Sequence, residues 1–355
     1  MRRAAVVLLA CLGTSLSIGV SMSSGRVVGP RSQGAFSDAL TVRGVGTVTF
    51  SAVVHPHGRA TTAFFEFGLA SRYREPRPSG VVYDKSTAGV HLPAGSQVDS
   101  VAGQASGLVP NALYHLRLVA TSSAGTVYSP DATFRTARDP APPRPRFGAT
   151  INVVPASRLV LIRARRLSSS RTSRVARLIT GPDFLPLTEN RQLPIDSQFD
   201  ARAGSLRLVA ASGDGSQTQQ ATLAGGVFTL YQTRPGPGPG LTTLSLLEGG
   251  FPGGPTYDDC PADAADRASN QRAGTARSNS AVLQTLHARE QTRRFATRGR
   301  YSISTARAAG AVWDTADRCD GTLTIVRRGS VAVFDMRLGT TTVVRAGQRY
   351  LAQAA

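Results

Sequence analysis

Chemistry in this chain would have to start from Cys260 and Cys319, one tryptophan, five histidines and a single acidic run. A third cysteine, Cys11, lies inside an apolar N-terminal stretch, so an even pair remains beyond it. That is the arithmetic of one disulfide in an exported, oxidised protein. His55-Pro56-His57 sets two imidazoles two residues apart, a spacing that could serve a metal, but no cysteine or carboxylate motif adjoins it. The plainer reading is a turn at a strand end. Tyr257-Asp258-Asp259-Cys260-Pro261-Ala262-Asp263, with Asp266, offers oxygens that calcium could use. It lacks the alternation and the glycine of a calcium loop, and a solvated acidic loop beside a disulfide explains it as well. Trp313, the sole tryptophan, could stack on a sugar ring as a ligand contact or fill the core.

Motifs for covalent chemistry are missing. There is no Gly-x-Ser-x-Gly elbow, and Cys260 and Cys319 are expected to be paired rather than free. Gly236-Pro237-Gly238-Pro239-Gly240 has no Lys-Ser/Thr of a phosphate loop and reads as a hairpin connection. No local pattern nominates two carboxylates for glycoside cleavage. The expectation is therefore a chain without catalytic residues, cofactor or metal.

The formal charge is +19, carried almost wholly by arginine, because Lys85 is the only lysine. Such an excess attracts polyanions: nucleic acid, anionic lipid or an anionic wall polymer. The competing reading scatters the arginines over solvated faces. Arg163-Ala164-Arg165-Arg166 and Arg293-Arg294 are short clusters, and no aromatic-interleaved platform for nucleic acid is present.

The elements that must position these residues are strands. With 41 % apolar residues, 36 Gly and 21 Pro, the chain calls for short strands and many turns. The best helical candidate is Asn279–Gln291. Residues 1–24 read as a signal peptide, with Met1-Arg2-Arg3 ahead of the apolar Ala4–Val20. Leu8-Leu9-Ala10-Cys11 offers an alternative lipid anchor at Cys11, and an uncleaved anchor is a third option, though the stretch is short for a span. No later segment is long and apolar enough to cross a bilayer. After a linker at 25–40, residues 41–137 alternate with period two: Val48, Phe50, Ala52 and Val54, then Ala63, Phe65 and Phe67, then Tyr114, Leu116, Leu118 and Ala120, with His115 and Arg117 facing out. A Pro-rich linker, 138–147, is expected to act as a semi-rigid spacer. Residues 148–355 return to β patterning around a long polar insertion between Tyr257 and Arg300. Glycine recurs before strands at Gly204, Gly329 and Gly347 with irregular spacing, which suggests repeated hairpins rather than a solenoid.

Two resemblances sharpen this. Leu108-Val109-Pro110-Asn111-Ala112-Leu113-Tyr114 has the spacing of a tyrosine corner, in which Tyr114 at the start of a strand anchors the turn around Pro110. Together with His55–Thr62, Phe64–Gly68 and Thr121–Thr126, it makes 41–137 resemble a fibronectin type III-like β-sandwich of the kind found in exported actinobacterial proteins. Such modules serve as spacers or adhesive units. Leu193–Ser197, Asp200–Gly204, Gly225–Phe228, Phe295–Ser302, Trp313–Thr322, Gly329–Val333 and Ala346–Leu351 make 148–355 resemble a FecR-type β domain. In regulators of that type a cytoplasmic segment binding a sigma factor precedes a membrane span. Here a short leader and another β module stand in its place.

The fold expected is all-β, a fibronectin type III-like β-sandwich followed by a FecR-like domain. The function expected is that of a secreted or cell-envelope scaffold or binding protein engaging an anionic cell-wall polymer or glycan, with no specific nucleic-acid partner. An extracytoplasmic sensor of FecR type is the alternative, and a wall-glycan hydrolase is the third.

Overall fold

The computed structural model describes residues 20–21, 38–42, 47–74, 77–164, 184–213, 215, 217–233, 240–249, 254, 256–260, 280–292 and 294–354. Two short 3₁₀ turns are its only helical elements among these residues. The protein is all-β, and its contacts divide it into two units, with the long boundary between Ala137 and Arg138.

The first unit holds β1 (Val20–Ser21), β2 (Asp38–Val42), β3 (Thr47–Val54), β4 (Thr61–Leu69) and β5 (Lys85–Ser86). It continues with β6 (Val90–Leu92), β7 (Asp99–Ser106), β8 (Leu113–Ser122), β9 (Gly125–Tyr128) and β10 (Ala132–Arg135). One sheet runs β1-β2-β3-β7; the other runs β10-β8-β4-β5, with β6 on β4 and β9 on β8. This is a sandwich of fibronectin type III-like pairing, and the period-two residues meet in its middle. Phe50 packs its ring 5.4, 5.6 and 5.3 Å from those of Phe65, Phe67 and Phe134. The expected linker 25–40 is corrected at its end, because Asp38–Leu40 pair with Phe50–Ala52 as part of β2. The expected leader, 1–24 with Cys11, lies outside the described residues except Val20–Ser21, which pair with Leu40 and Ala39.

The second unit begins with β11 (Thr150–Arg158), β12 (Leu161–Arg163), β13 (Leu185–Pro186), β14 (Arg191–Pro194), β15 (Gln198–Asp200) and β16 (Gly204–Ala211). Then come β17 (Thr218–Ala224), β18 (Val227–Gln232), β19 (Thr242–Leu246), β20 (Val282–Glu290), β21 (Phe295–Arg298) and β22 (Ser302–Ala306). The last are β23 (Val312–Arg318), β24 (Gly321–Arg328), β25 (Ser330–Asp335), β26 (Thr340–Arg345) and β27 (Arg349–Gln353). An eight-stranded sheet runs β14-β11-β16-β17-β20-β23-β24-β27, and a nine-stranded sheet runs β13-β12-β15-β18-β19-β21-β22-β25-β26. Beyond the first hairpins, both sheets grow in chain order from one edge to the other. The chain adds a hairpin to one layer, then to the other, so the unit lengthens stepwise although its sequence spacing is irregular. The core between the layers includes Ile151, Leu193, Phe199, Leu206, Leu208, Phe228, Leu230, Leu286 and Trp313.

Three further expectations are corrected here. Asn279–Gln291 is not helical, since Val282–Glu290 is an inner strand of the eight-stranded sheet. Its Gln284, Leu286, Ala288 and Glu290 are buried alternately, and neighbours on both sides satisfy its backbone. The polar insertion is accordingly shorter than 257–300, and its stretch 261–279 lies outside the described residues. The Pro-rich segment 138–147, expected as a semi-rigid spacer, is instead bonded along the second unit. Pro143 carbonyl accepts from Asn152 Nδ2 at 2.7 Å and Gln192 Nε2 at 3.1 Å, and Asp139 pairs with the buried Arg191 at 3.2 Å. Prolines lack N–H donors, but their carbonyls remain acceptors, and β11 and β14 use them.

Candidate functional site

The outer face of the eight-stranded sheet is where exposed charge gathers in register. On β16, buried Leu206 and Leu208 flank exposed Arg207; on β20, buried Ala288 and Glu290 flank exposed Arg289. Cross-strand pairing then sets Arg207 opposite Thr222, Thr222 opposite Arg289, Arg289 opposite Val312, and Val312 opposite Arg328. Side chains in one such row share a face, because strand side chains alternate with period two. A β-bulge beside Val312 leaves both Arg327 and Arg328 exposed. Among the described residues, Arg207, Arg289 and Arg328 enter none of the ion pairs formed.

The neighbouring row reads Ala224, His287, Asp314, Ile325 and Arg349. Its one carboxylate is clamped: His287 Nδ1 lies 2.7 Å from Asp314 Oδ1, and Arg327 Nη2 lies 2.6 Å from Oδ2. The bond and charge of Asp314 raise the Arg327 pKa. A His–Asp pair is the orienting half of a nucleophile-activating triad. Here, however, the His287 ring bonds to Asp314 alone among the described residues, with no hydroxyl or thiol on its other nitrogen. With Arg327 on the second oxygen of Asp314, the cluster acts as a charge clamp.

A second cluster surrounds the disulfide, with Cys260 and Cys319 joined and their Cα atoms 5.4 Å apart. The short turn Tyr257–Asp259 precedes Cys260, and the Tyr257 N–H donates to Glu248 Oε1 at 2.9 Å. Arg300 covers the Tyr257 ring at 4.3 Å and pairs with Glu248 at 2.8 Å. Beneath lies Asp317, which accepts from Thr322 Oγ1 at 2.6 Å and the Arg300 N–H at 3.0 Å. Burial pushes the Asp317 carboxyl up despite those bonds, and burial likewise pushes the Tyr257 hydroxyl up, reinforced by the Asp317 charge. Gly299 is required there, since a Cβ would fall 2.3 Å from Asp317 Oδ1. The arrangement seals a buried carboxylate; it presents no open site.

In the first unit, Arg117 lies between the rings of Tyr83 and Tyr128, at 4.3 and 4.2 Å, and pairs with Glu66 at 2.7 Å. Burial and a bond to Asp131 push the Tyr83 hydroxyl up to about 12.

The remaining sequence candidates fall as follows. Trp313 is corrected as a ligand contact: it is 0 % exposed, and its Nε1 donates to Thr297 Oγ1 at 2.8 Å. Its parity on β23 points it between the layers, where a large ring fills the core. Tyr114 is buried and stacked on Phe134 at 5.3 Å, and Pro110 is buried in the preceding turn. His55 and His57 form a turn, with the His57 N–H donating to His55 Nδ1 at 3.0 Å and His57 at φ 52°. Asp263, Asp266 and 234–239 lie outside the described residues. Among the described residues, no three metal-ligating side chains gather and no helix is long and apolar enough to cross a membrane. Sequence reasoning misses the arginine row and the Asp314 clamp. Alternation marks Arg207 and Arg289 as outward-facing, but their alignment needs the strand order.

No protein-family model and no curated protein matches this chain. Among solved structures, the chain is similar to the chicken CNTN1 FN1–FN3 domains at 10 % identity and a TM-score of 0.20, over 87 % of this chain and 97 % of that one.

Proposed function

We propose that this is a non-enzymatic binding or scaffold protein of the cell envelope, holding an anionic wall polymer or glycan on the outer face of its larger unit. The observation that carries the reading is the row of exposed arginines on that face that enter no ion pair among the described residues. Export accords with the basic, apolar leader and with a disulfide between the two cysteines beyond it. In this reading the fibronectin type III-like unit is a spacer or adhesive module. The larger unit is a FecR-type domain adapted to binding.

Exposed guanidinium groups gain little from any single contact, so affinity for a polyanion comes from several acting together and weakens with salt. Purified full-length, oxidised protein should sediment with isolated envelope at low salt and be released by raised ionic strength. Absence of sedimentation at low salt, or binding indifferent to salt, would overturn an electrostatic partner.

A further inference from the structure

The arginine row carries more than charge, because register fixes its spacing. Arg207, Arg289 and Arg328 stand on β16, β20 and β24, and β17 and β23 separate them. Neighbouring strands lie about 4.8 Å apart, so successive arginines arise roughly 10 Å apart along a line perpendicular to the strands. The positions between them are uncharged: Thr222 offers a hydroxyl and Val312 an apolar surface, both partly exposed. The row therefore alternates charged and neutral positions across five strands. The carboxylate on the adjacent row does not oppose an anion, since His287 and Arg327 hold Asp314 and it is only 4 % exposed.

We infer that this face recognises a linear glycan in which an anionic sugar alternates with a neutral one, lying across the strands. The inference rests on the polyanion reading above and names the class of polymer. An alternating chain matches each guanidinium to an anionic group and sets a neutral ring over Thr222 and over Val312. A polymer charged at every residue would place anions over those two positions, which carry no cation of their own, while the nearby Arg327 is held by Asp314. Uncharged chains would leave the arginines without partners.

The test compares two variants of equal charge in the full-length, oxidised protein. One is Arg207→Gln, Arg289→Gln and Arg328→Gln together. The other removes three exposed arginines from the nine-stranded sheet and its turn: Arg298→Gln, Arg337→Gln and Arg345→Gln. Binding is measured at low salt to hyaluronan oligosaccharides, which alternate a carboxylated with a neutral sugar. Polygalacturonate and inorganic polyphosphate, charged at every unit, serve as competitors at matched total charge. The expected result is preference for hyaluronan, a loss of about 10-fold or more in the row variant, and a loss of about 2-fold or less in the control. Thermal unfolding of both variants should match the parent, since all six side chains are exposed. Equal losses in the two variants would overturn the row as the site while leaving a general polyanion binder standing. Preference for polygalacturonate or polyphosphate would overturn the alternation. Failure of all three polymers to bind would overturn the proposed function itself.

Discussion

Around β15 and β18 the space between the layers of the larger unit is filled by apolar side chains, with Phe199 and Phe228, cross-strand partners of the nine-stranded sheet, stacked at 5.4 Å and both 0 % exposed. Around β21 to β24 the same layers meet through hydroxyls. Thr297 bonds Thr315 across the layers at 2.5 Å, Ser304 bonds Thr324 at 2.7 Å, and Trp313 Nε1 donates to Thr297. Thr322 is as fully buried, and its hydroxyl donates to Asp317. Apolar area, which is non-directional, thus closes the architecture throughout, and at this end hydroxyl bonds that depend on direction are added to it. The directional end also carries the disulfide and the buried Asp317. Stepwise growth of both sheets permits this, because each hairpin needs to match only its neighbours.

The largest effects should separate the two ends. Phe228→Ala should cost about 3–5 kcal/mol, because the removed ring leaves a cavity that a stacked neighbour cannot fill. Denaturant unfolding monitored by circular dichroism would measure it, and a loss under about 1 kcal/mol would show that the aromatic end is loosely packed. Replacing both cysteines, Cys260→Ala with Cys319→Ala, should cost roughly 2–4 kcal/mol, set by the loop of 59 residues that the crosslink closes. If instead the oxidised and double-alanine proteins unfold at the same denaturant concentration, the hydroxyl end holds without its staple.

Thr297→Val tests the directional end more finely. The valine keeps the volume but leaves the Trp313 Nε1–H buried without an acceptor, which should cost about 1–3 kcal/mol. Near-neutral behaviour would mean that water or another oxygen reaches the indole. Asp317→Asn should alter the pH dependence more than the stability at neutrality. Burial raises the Asp317 pKa in the folded state above its unfolded value. The folded chain then binds more protons, so its contribution to stability is fullest at acid pH and falls as pH rises through the folded pKa. The asparagine variant should flatten that segment of the stability–pH curve. An unchanged curve would assign the slope to other carboxylates.

Much of the apolar end is legible in the amino-acid sequence, and little of the directional end is. Leu206, Leu208, Phe228 and Leu230 announce buried faces by strict alternation, which depends only on residue type and period. The disulfide is equally readable, because an even pair of cysteines is a matter of counting. Thr297, Ser304, Thr315 and Thr324 look like ordinary strand residues until the layers are superposed. Trp313 is ambiguous in sequence for the same reason: an amphipathic ring suits a core or a ligand, and only the Thr297 hydroxyl behind it decides. Asn279–Gln291 misleads because its polar residues hide the period, Gln284 and Glu290 being buried by side-chain bonds rather than by apolarity. The arginine row is hidden because Arg207, Arg289 and Arg328 become neighbours only through an order of strands that no local pattern encodes.

The smallest effect asks whether the surface over the directional end contributes to holding it. Arg300 and Glu248 pair at 2.8 Å with side chains 46 % and 40 % exposed, so solvent screens most of their attraction. A double-mutant cycle with Arg300→Gln and Glu248→Gln should give a coupling below about 1 kcal/mol. Arg300 does more than pair, since it also lies over the Tyr257 ring and its N–H donates to Asp317. The backbone donor survives substitution, so the single Arg300→Gln loss should come mainly from the uncovered ring and should persist in the Glu248→Gln background. Raised salt should then shrink the coupling and leave the single loss in place. A coupling that exceeds about 2 kcal/mol and resists salt would place the pair in a drier setting than its exposure indicates, and the directional end would extend to its surface.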